Sequence, residues 1–261
     1  MKPVHVEQLT ETFDVRKVHR SGSVAGASGT PVYRNEDPFP VGAYRPGANQ
    51  RLADEMTLAI GVWEGVYYSL GVYNFAASGT YTVDVELWDG DPCLPGSSAI
   101  PNSHAQFPDI PAMHADGGHA SLLEAELDPP IAIPVTVWMA VTFSGTRAAN
   151  AAWLVAQQAE VGSTENFFSE DDVGPSCQSA QSCTNEGYPA YTCEGGVCRL
   201  CTLFYFVGGS PWAGFWAQIN AQQAEPPVPA ASEWGLVVLS LIGLTAGTIL
   251  FGHPRRSACA A

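Results

Sequence analysis

His114, Asp116 and His119 fall within six residues of one another in a glycine-containing stretch, with His104 ten residues earlier. Imidazoles beside a carboxylate can share a metal ion or pass a proton. Asp89/Asp91 and Glu165/Glu170/Asp171/Asp172 offer hard oxygens at short spacing, which suit calcium. Neither run has the spacing of a complete calcium loop, and nothing in the sequence fixes the histidine rings. The expectation is therefore solvated loops with no cofactor, calcium being the ion to consider. Trp88, Trp138, Trp212 and Trp216 are candidates for stacking on sugar rings. No G-x-S-x-G elbow, phosphate loop or dinucleotide fingerprint occurs, and a carboxylate pair for glycoside hydrolysis depends on a separation that sequence does not give. A non-enzymatic role is expected, with a carbohydrate-binding module and an extracellular hydrolase as the competing classes. A row of exposed coplanar Trp or Tyr would favour the first. A cleft where His114 or His119 meets a carboxylate would favour the second.

The cysteines carry a second kind of chemistry. Cys93, Cys177, Cys183, Cys193, Cys198 and Cys201 precede the apolar C-terminal run, and Cys259 follows it. Six is an even number, as a disulfide framework requires, and the sequence alone leaves the pairing open. Two bridges inside 177–198 and one from Cys93 to Cys201 are the expected arrangement. Cys198-x-x-Cys201 has zinc-ligand spacing, but no second pair or nearby His completes a site.

The elements that must position these residues read as strands. In 80–88, Tyr81, Val83, Val85 and Leu87 alternate with Thr82, Asp84 and Glu86. In 134–143, Val135, Val137, Met139, Val141 and Phe143 do the same. Further strands are expected at 55–59, 66–75, 121–127, 152–157, 203–207 and 214–220. Gly, Pro and Asp turns separate them, and no sustained helical stripe precedes the C-terminus. The fold class is an antiparallel β-sandwich, jelly-roll-like, with a Cys-rich loop insertion and one C-terminal transmembrane helix. The expected divisions are a disordered lead (1–29), the sandwich (30–224, insertion 172–202), a proline-rich spacer with the sorting motif (225–233), the spanning helix (234–252) and a cytoplasmic tail (253–261). The 261-residue chain has 26 acidic and 11 basic residues, a net charge of −15. Between 21 and 224 the Lys and Arg residues are Arg34, Arg45, Arg51, Arg147 and Arg199. Such a surface repels phosphate backbones and excludes nucleic acid as a partner.

The run from Trp234 to Phe251 has no charged residue and as a helix would be about 27 Å long, close to the thickness of a bilayer core. Arg255-Arg256 follow it. With Pro229, Ser232, Glu233, Trp234 and Gly235 ahead of it, this tail resembles the C-terminal sorting signals of the IPTL-CTERM class, relatives of the PEP-CTERM signals. The family motif is Ile-Pro-Thr-Leu-Ser-Glu-Trp-Gly, from which Val228, Ala230 and Ala231 depart. The stretch from Tyr33 to Asn220 also resembles a domain of such sorted envelope proteins, through Arg51–Glu55, Leu87–Asp91, Val137–Val141 and Pro211–Trp216. The resemblance implies an exported bacterial envelope protein, inner-membrane anchored with its sandwich outside and read by an exosortase-type sorting protease; it supplies no activity, and the sandwich itself is read as structural or adhesive. Envelope glycans are the other partner to consider, through the tryptophans named above. Residues 1–8 lack the apolar core of a signal peptide, so the true start is expected elsewhere.

Overall fold

The computed structural model describes residues 2–4, 7–8, 16–19, 29–36, 42–46, 50–94, 96–115, 117–156, 159–176, 191–194, 197–206 and 214–224, with backbone alone for 2–4, 7–8, 16–19, 165–167, 171–176, 191–194 and 197–206. The strands are β1 (Lys2–Val4), β2 (Glu7–Gln8), β3 (Arg16–His19), β4 (Thr30–Asn35), β5 (Gly42–Tyr44), β6 (Arg51–Thr57), β7 (Trp63–Asn74), β8 (Thr80–Trp88) and β9 (Ala105–Pro111). They continue as β10 (Ala120–Ile133), β11 (Thr136–Ser144), β12 (Ala151–Ala156), β13 (Ser163–Ser176), β14 (Tyr191–Glu194), β15 (Val197–Phe206), β16 (Gly214–Phe215) and β17 (Ala217–Gln223). A single 3-10 turn, Ala148–Asn150, precedes β12.

Two sheets form. One runs β1-β15-β13-β6-β11-β8-β9, with β14 on β15. The other runs β2-β5-β12-β7-β10-β3, with β16 on β12 and β17 between β7 and β4. Pairing is antiparallel apart from β1 with β15 and β3 with β10. The core lies between the sheets and is built from the alternation that the sequence displays. Tyr81, Val83, Val85 and Leu87 meet Val137, Met139, Val141 and Phe143 from one sheet, and Tyr68, Leu70, Val72, Leu123 and Ala125 from the other. Successive side chains of a strand face opposite ways, so each strand contributes every second residue to this layer.

Val135 departs from its expected place. It precedes β11 and is 50 % exposed, because its carbonyl turns to accept the Leu58 N–H at 2.7 Å and the stripe starts only at Val137. β9 and β13 show no clean alternation and were not among the expected strands. β9 is an edge strand, where Pro108 and Pro111 cost no ladder hydrogen bond. β13 is polar, and pairing to β6 on one side and β15 on the other makes it a strand. β1, β2 and β3 lie within the segment expected to be a disordered lead, and β14 with the start of β15 within the expected loop insertion.

The anchoring expectation is corrected as well. Among the described residues no helix is long and apolar enough to cross a membrane, so inner-membrane anchorage through a C-terminal helix is not supported. Residues 234–252 lie outside the described residues, as do the motif Pro229, Ser232, Glu233, Trp234 and Gly235 and the pair Arg255-Arg256. The chain divides into two units, Met1–Gln223 and Ala224–Ala261.

Candidate functional site

The histidines do not converge on a carboxylate cluster. His114 Nε2 lies 2.9 Å from Ser121 Oγ and 3.1 Å from the Ala120 carbonyl. His119 Nδ1 lies 3.1 Å from the Ala112 carbonyl, and its ring packs 5.5 Å from that of Tyr73. Both rings tie the 112–119 loop to β7 and β10. His104 stands apart, with Nε2 3.1 Å from Asp84 Oδ1 on an exposed edge. Asp116 lies outside the described residues. Among the described residues no group of three or more His, Cys, Asp or Glu is gathered to hold a metal ion.

The acidic loops are likewise occupied by the protein's own donors. Asp89 accepts the Ser98 N–H at 2.6 Å and the Ser98 hydroxyl at 2.8 Å, and these donors hold its carboxyl below the usual range. Asp91 is buried and accepts the Cys93 N–H and the Ser169 hydroxyl, each at 2.9 Å. This fastens the 89–104 loop to β13. Glu170 is buried and accepts the Tyr44 hydroxyl, which burial and that carboxylate together push well above the ordinary tyrosine value. The side chains of Glu165, Asp171 and Asp172 lie outside the description.

The tryptophans are packed too. Trp138 is buried on the outer face of its sheet with Ala53 and Ala140. Trp88 beside it is half-buried under the Arg51 guanidinium, 4.7 Å from the ring centroid. Trp216 bulges between β16 and β17 and lies over Gly71, where an added Cβ would come within 2.1 Å of its ring. Trp212 lies outside the described residues. Among the Trp, Tyr and Phe residues whose side chains are described, none is exposed.

The densest polar arrangement is one that sequence reasoning missed. Register sets Glu124, Ser69, Gln218 and Arg34 in one row across β10, β7, β17 and β4. This row lies on the outer face, because Tyr67 and Ser69 alternate with the core residues Tyr68 and Leu70. Tyr67, Ser69, Glu124 and Asn220 are nonetheless buried. The Tyr67 hydroxyl donates to Glu124 Oε1 at 2.7 Å, and Ser69 donates to Glu36 Oε1 at 3.0 Å. Burial raises the Glu36 carboxyl; Ser69 and the Arg34 charge oppose this, and Glu160 and Glu124 reinforce it. Arg34 also pairs with Glu160 at 2.6 Å on the rim.

Two carboxylates, each served by a hydroxyl, can relay a proton or receive hydrogen bonds from a polyol. Here the donors come from the protein, and the arrangement binds three strands to one another. Replacing Tyr67 with Phe is expected to cost about 1–2 kcal/mol, since Glu124 loses a buried donor. Urea unfolding of the variant measures it, and an unchanged midpoint would show the bond to be energetically silent. The missed signal was the two-residue spacing of Tyr67-x-Ser69 and Glu124-x-Glu126 on the outer faces of β7 and β10, a pattern that sequence alone reads as a solvated face.

No family model and no curated protein matches the chain. Among solved structures, one titled Turnip yellow mosaic virus is similar at 9 % identity, with 86 % of this chain and 97 % of that chain covered and a TM-score of 0.22. That likeness is too weak to carry an argument about fold or function.

Proposed function

We propose that this chain is a non-catalytic structural or adhesive β-sandwich. The observation that carries the reading is the use of its polar and aromatic groups. The rings of His104, His114 and His119, the carboxylates of Asp89, Asp91 and Glu170, and the Glu36–Ser69 and Tyr67–Glu124 pairs meet partners within the chain. Sugar recognition by stacking needs an open aromatic face, and no described aromatic side chain is exposed. The reading keeps the C-terminal motif as a processing signal for an exosortase-type protease.

It also includes a bridge from Cys93 to Cys201. In support, Cys93 is 2 % exposed and disulfide-bonded. Asp91, two residues before it, accepts from Ser169, and the backbone of Cys201 pairs with that of Asp171, two residues after Ser169.

The test is a glycan array and a panel of esterase and glycosidase substrates applied to the purified full chain, with peptide mapping before and after reduction. The expected result is no turnover, no saturable glycan binding and a peptide joining Cys93 to Cys201. Saturable binding abolished by replacing Trp88 would establish the carbohydrate-binding alternative instead. Turnover abolished by replacing Glu36 or Glu124 would establish the hydrolase.

A further inference from the structure

Asp54 projects inward from β6 and is completely buried. The Phe215 N–H of β16, a strand of the other sheet, donates to its Oδ2 at 3.1 Å. The side chain is therefore a hydrogen-bonded link between the two layers. Asn35 of β4 grips the same residue from the other side, its Nδ2 donating to the Phe215 carbonyl at 3.1 Å. Thr164 of β13 places Oγ1 at 3.4 and 3.5 Å from the two carboxyl oxygens and donates to the Glu55 carbonyl at 2.8 Å. The closer carbonyl takes the hydroxyl proton, so the threonine oxygen is left able to accept one from Asp54.

The charges around this carboxyl do not compensate an anion. The titratable groups that act on it are Tyr33 from β4 and, by its charge across the sheet, Glu55 next to it on β6, while β13 presents Thr164 and β16 its backbone. One is a neutral phenol and the other an acid. An ionised carboxylate held there would be served by neutral donors alone, in surroundings that desolvate it.

We propose that Asp54 is a proton-operated latch: as a neutral carboxylic acid it holds β16 against β6, and loss of its proton as pH rises loosens the junction of the two sheets. Burial, the chief cause, places the Asp54 carboxyl well above the ordinary range; the Phe215 N–H opposes this and the Glu55 charge adds to it. The folded chain thus keeps a proton that the unfolded chain has released. The latch's contribution is complete below the ordinary carboxylate range and declines as pH climbs through the folded value.

Asp54→Asn imitates the neutral acid, with an oxygen to accept from Phe215 and an amide to donate to Thr164. The experiment is urea unfolding of the full chain, wild type against Asp54→Asn, at several pH values from about 5 to 9, with Glu36→Gln as the control for the other raised carboxyl. The wild-type unfolding constant is expected to rise with pH more steeply than that of Asp54→Asn, by up to about tenfold per pH unit. Glu36→Gln should retain the Asp54-dependent part. Equal slopes for wild type and Asp54→Asn would overturn the latch. Carbon NMR of the aspartate side chains in the wild-type chain reads the same proton without a substitution. An Asp54 carboxyl titrating in the ordinary range would overturn it too, even if the variant did not fold.

Discussion

Trp153→Ala is expected to destabilise the sandwich by about 3–5 kcal/mol, close to the whole stability of a marginal domain. Trp153 is fully buried in β12. Its ring stacks on Phe215 at 4.2 Å with an interplanar angle of 12°, and Phe215 meets Phe168 of the facing sheet edge-on at 5.2 Å. Tyr44 closes the group 4.7 Å from Phe168. Removing the indole leaves a cavity between sheets rather than at a surface, where relaxation from one side cannot fill it. It also deprives the Trp216 carbonyl of the Trp153 Nε1–H, 3.3 Å away. Trp153→Phe keeps a flat ring against Phe215 and should recover most of the loss. Thermal and urea unfolding measure both variants; a loss below about 1 kcal/mol for the alanine would mean that the aromatic group does not join the sheets.

Gly162→Ala is the second large effect. Gly162 enters β13 with φ of +73°, and an added Cβ would sit 2.4 Å from the Thr57 carbonyl oxygen and 3.2 Å from that of Val32. Both oxygens belong to backbone, so neither can swing aside as a side chain would. The left-handed conformation alone costs an L-residue about 1–2 kcal/mol. The clash forces β13 away from β6 or β4, and a total of about 3 kcal/mol or more is expected. Gly96→Ala is the matched comparison, with φ of +95° and nothing within 4 Å of the new carbon. It should show the conformational cost alone. If the two variants unfold at the same denaturant concentration, the crowding at Gly162 is relieved without penalty.

These effects show where sequence was and was not informative. The stripes Tyr81–Leu87 and Val137–Phe143 were legible because a two-residue period admits one answer about which face is apolar. The absence of a helical stripe before the C-terminus gave the class, and the interior confirms an all-β sandwich. The candidate chemistry was less legible. His114, His119 and Asp89 looked free in one dimension, yet each is spent on a neighbouring carbonyl or hydroxyl that folding brings within 3.1 Å.

Sequence by itself determined the alternation, the turns and the acid surplus, because these are local properties of a pleated chain and its composition. Only the tertiary structure decided that Glu124, Ser69 and Tyr67 would be buried on an outer face, and that Asp54 would sit in the core beside Phe215. A strand's pattern states which residues share a face. What lies across from that face depends on pairings between residues more than a hundred positions apart, such as Asp54 with Phe215, and no local period records them.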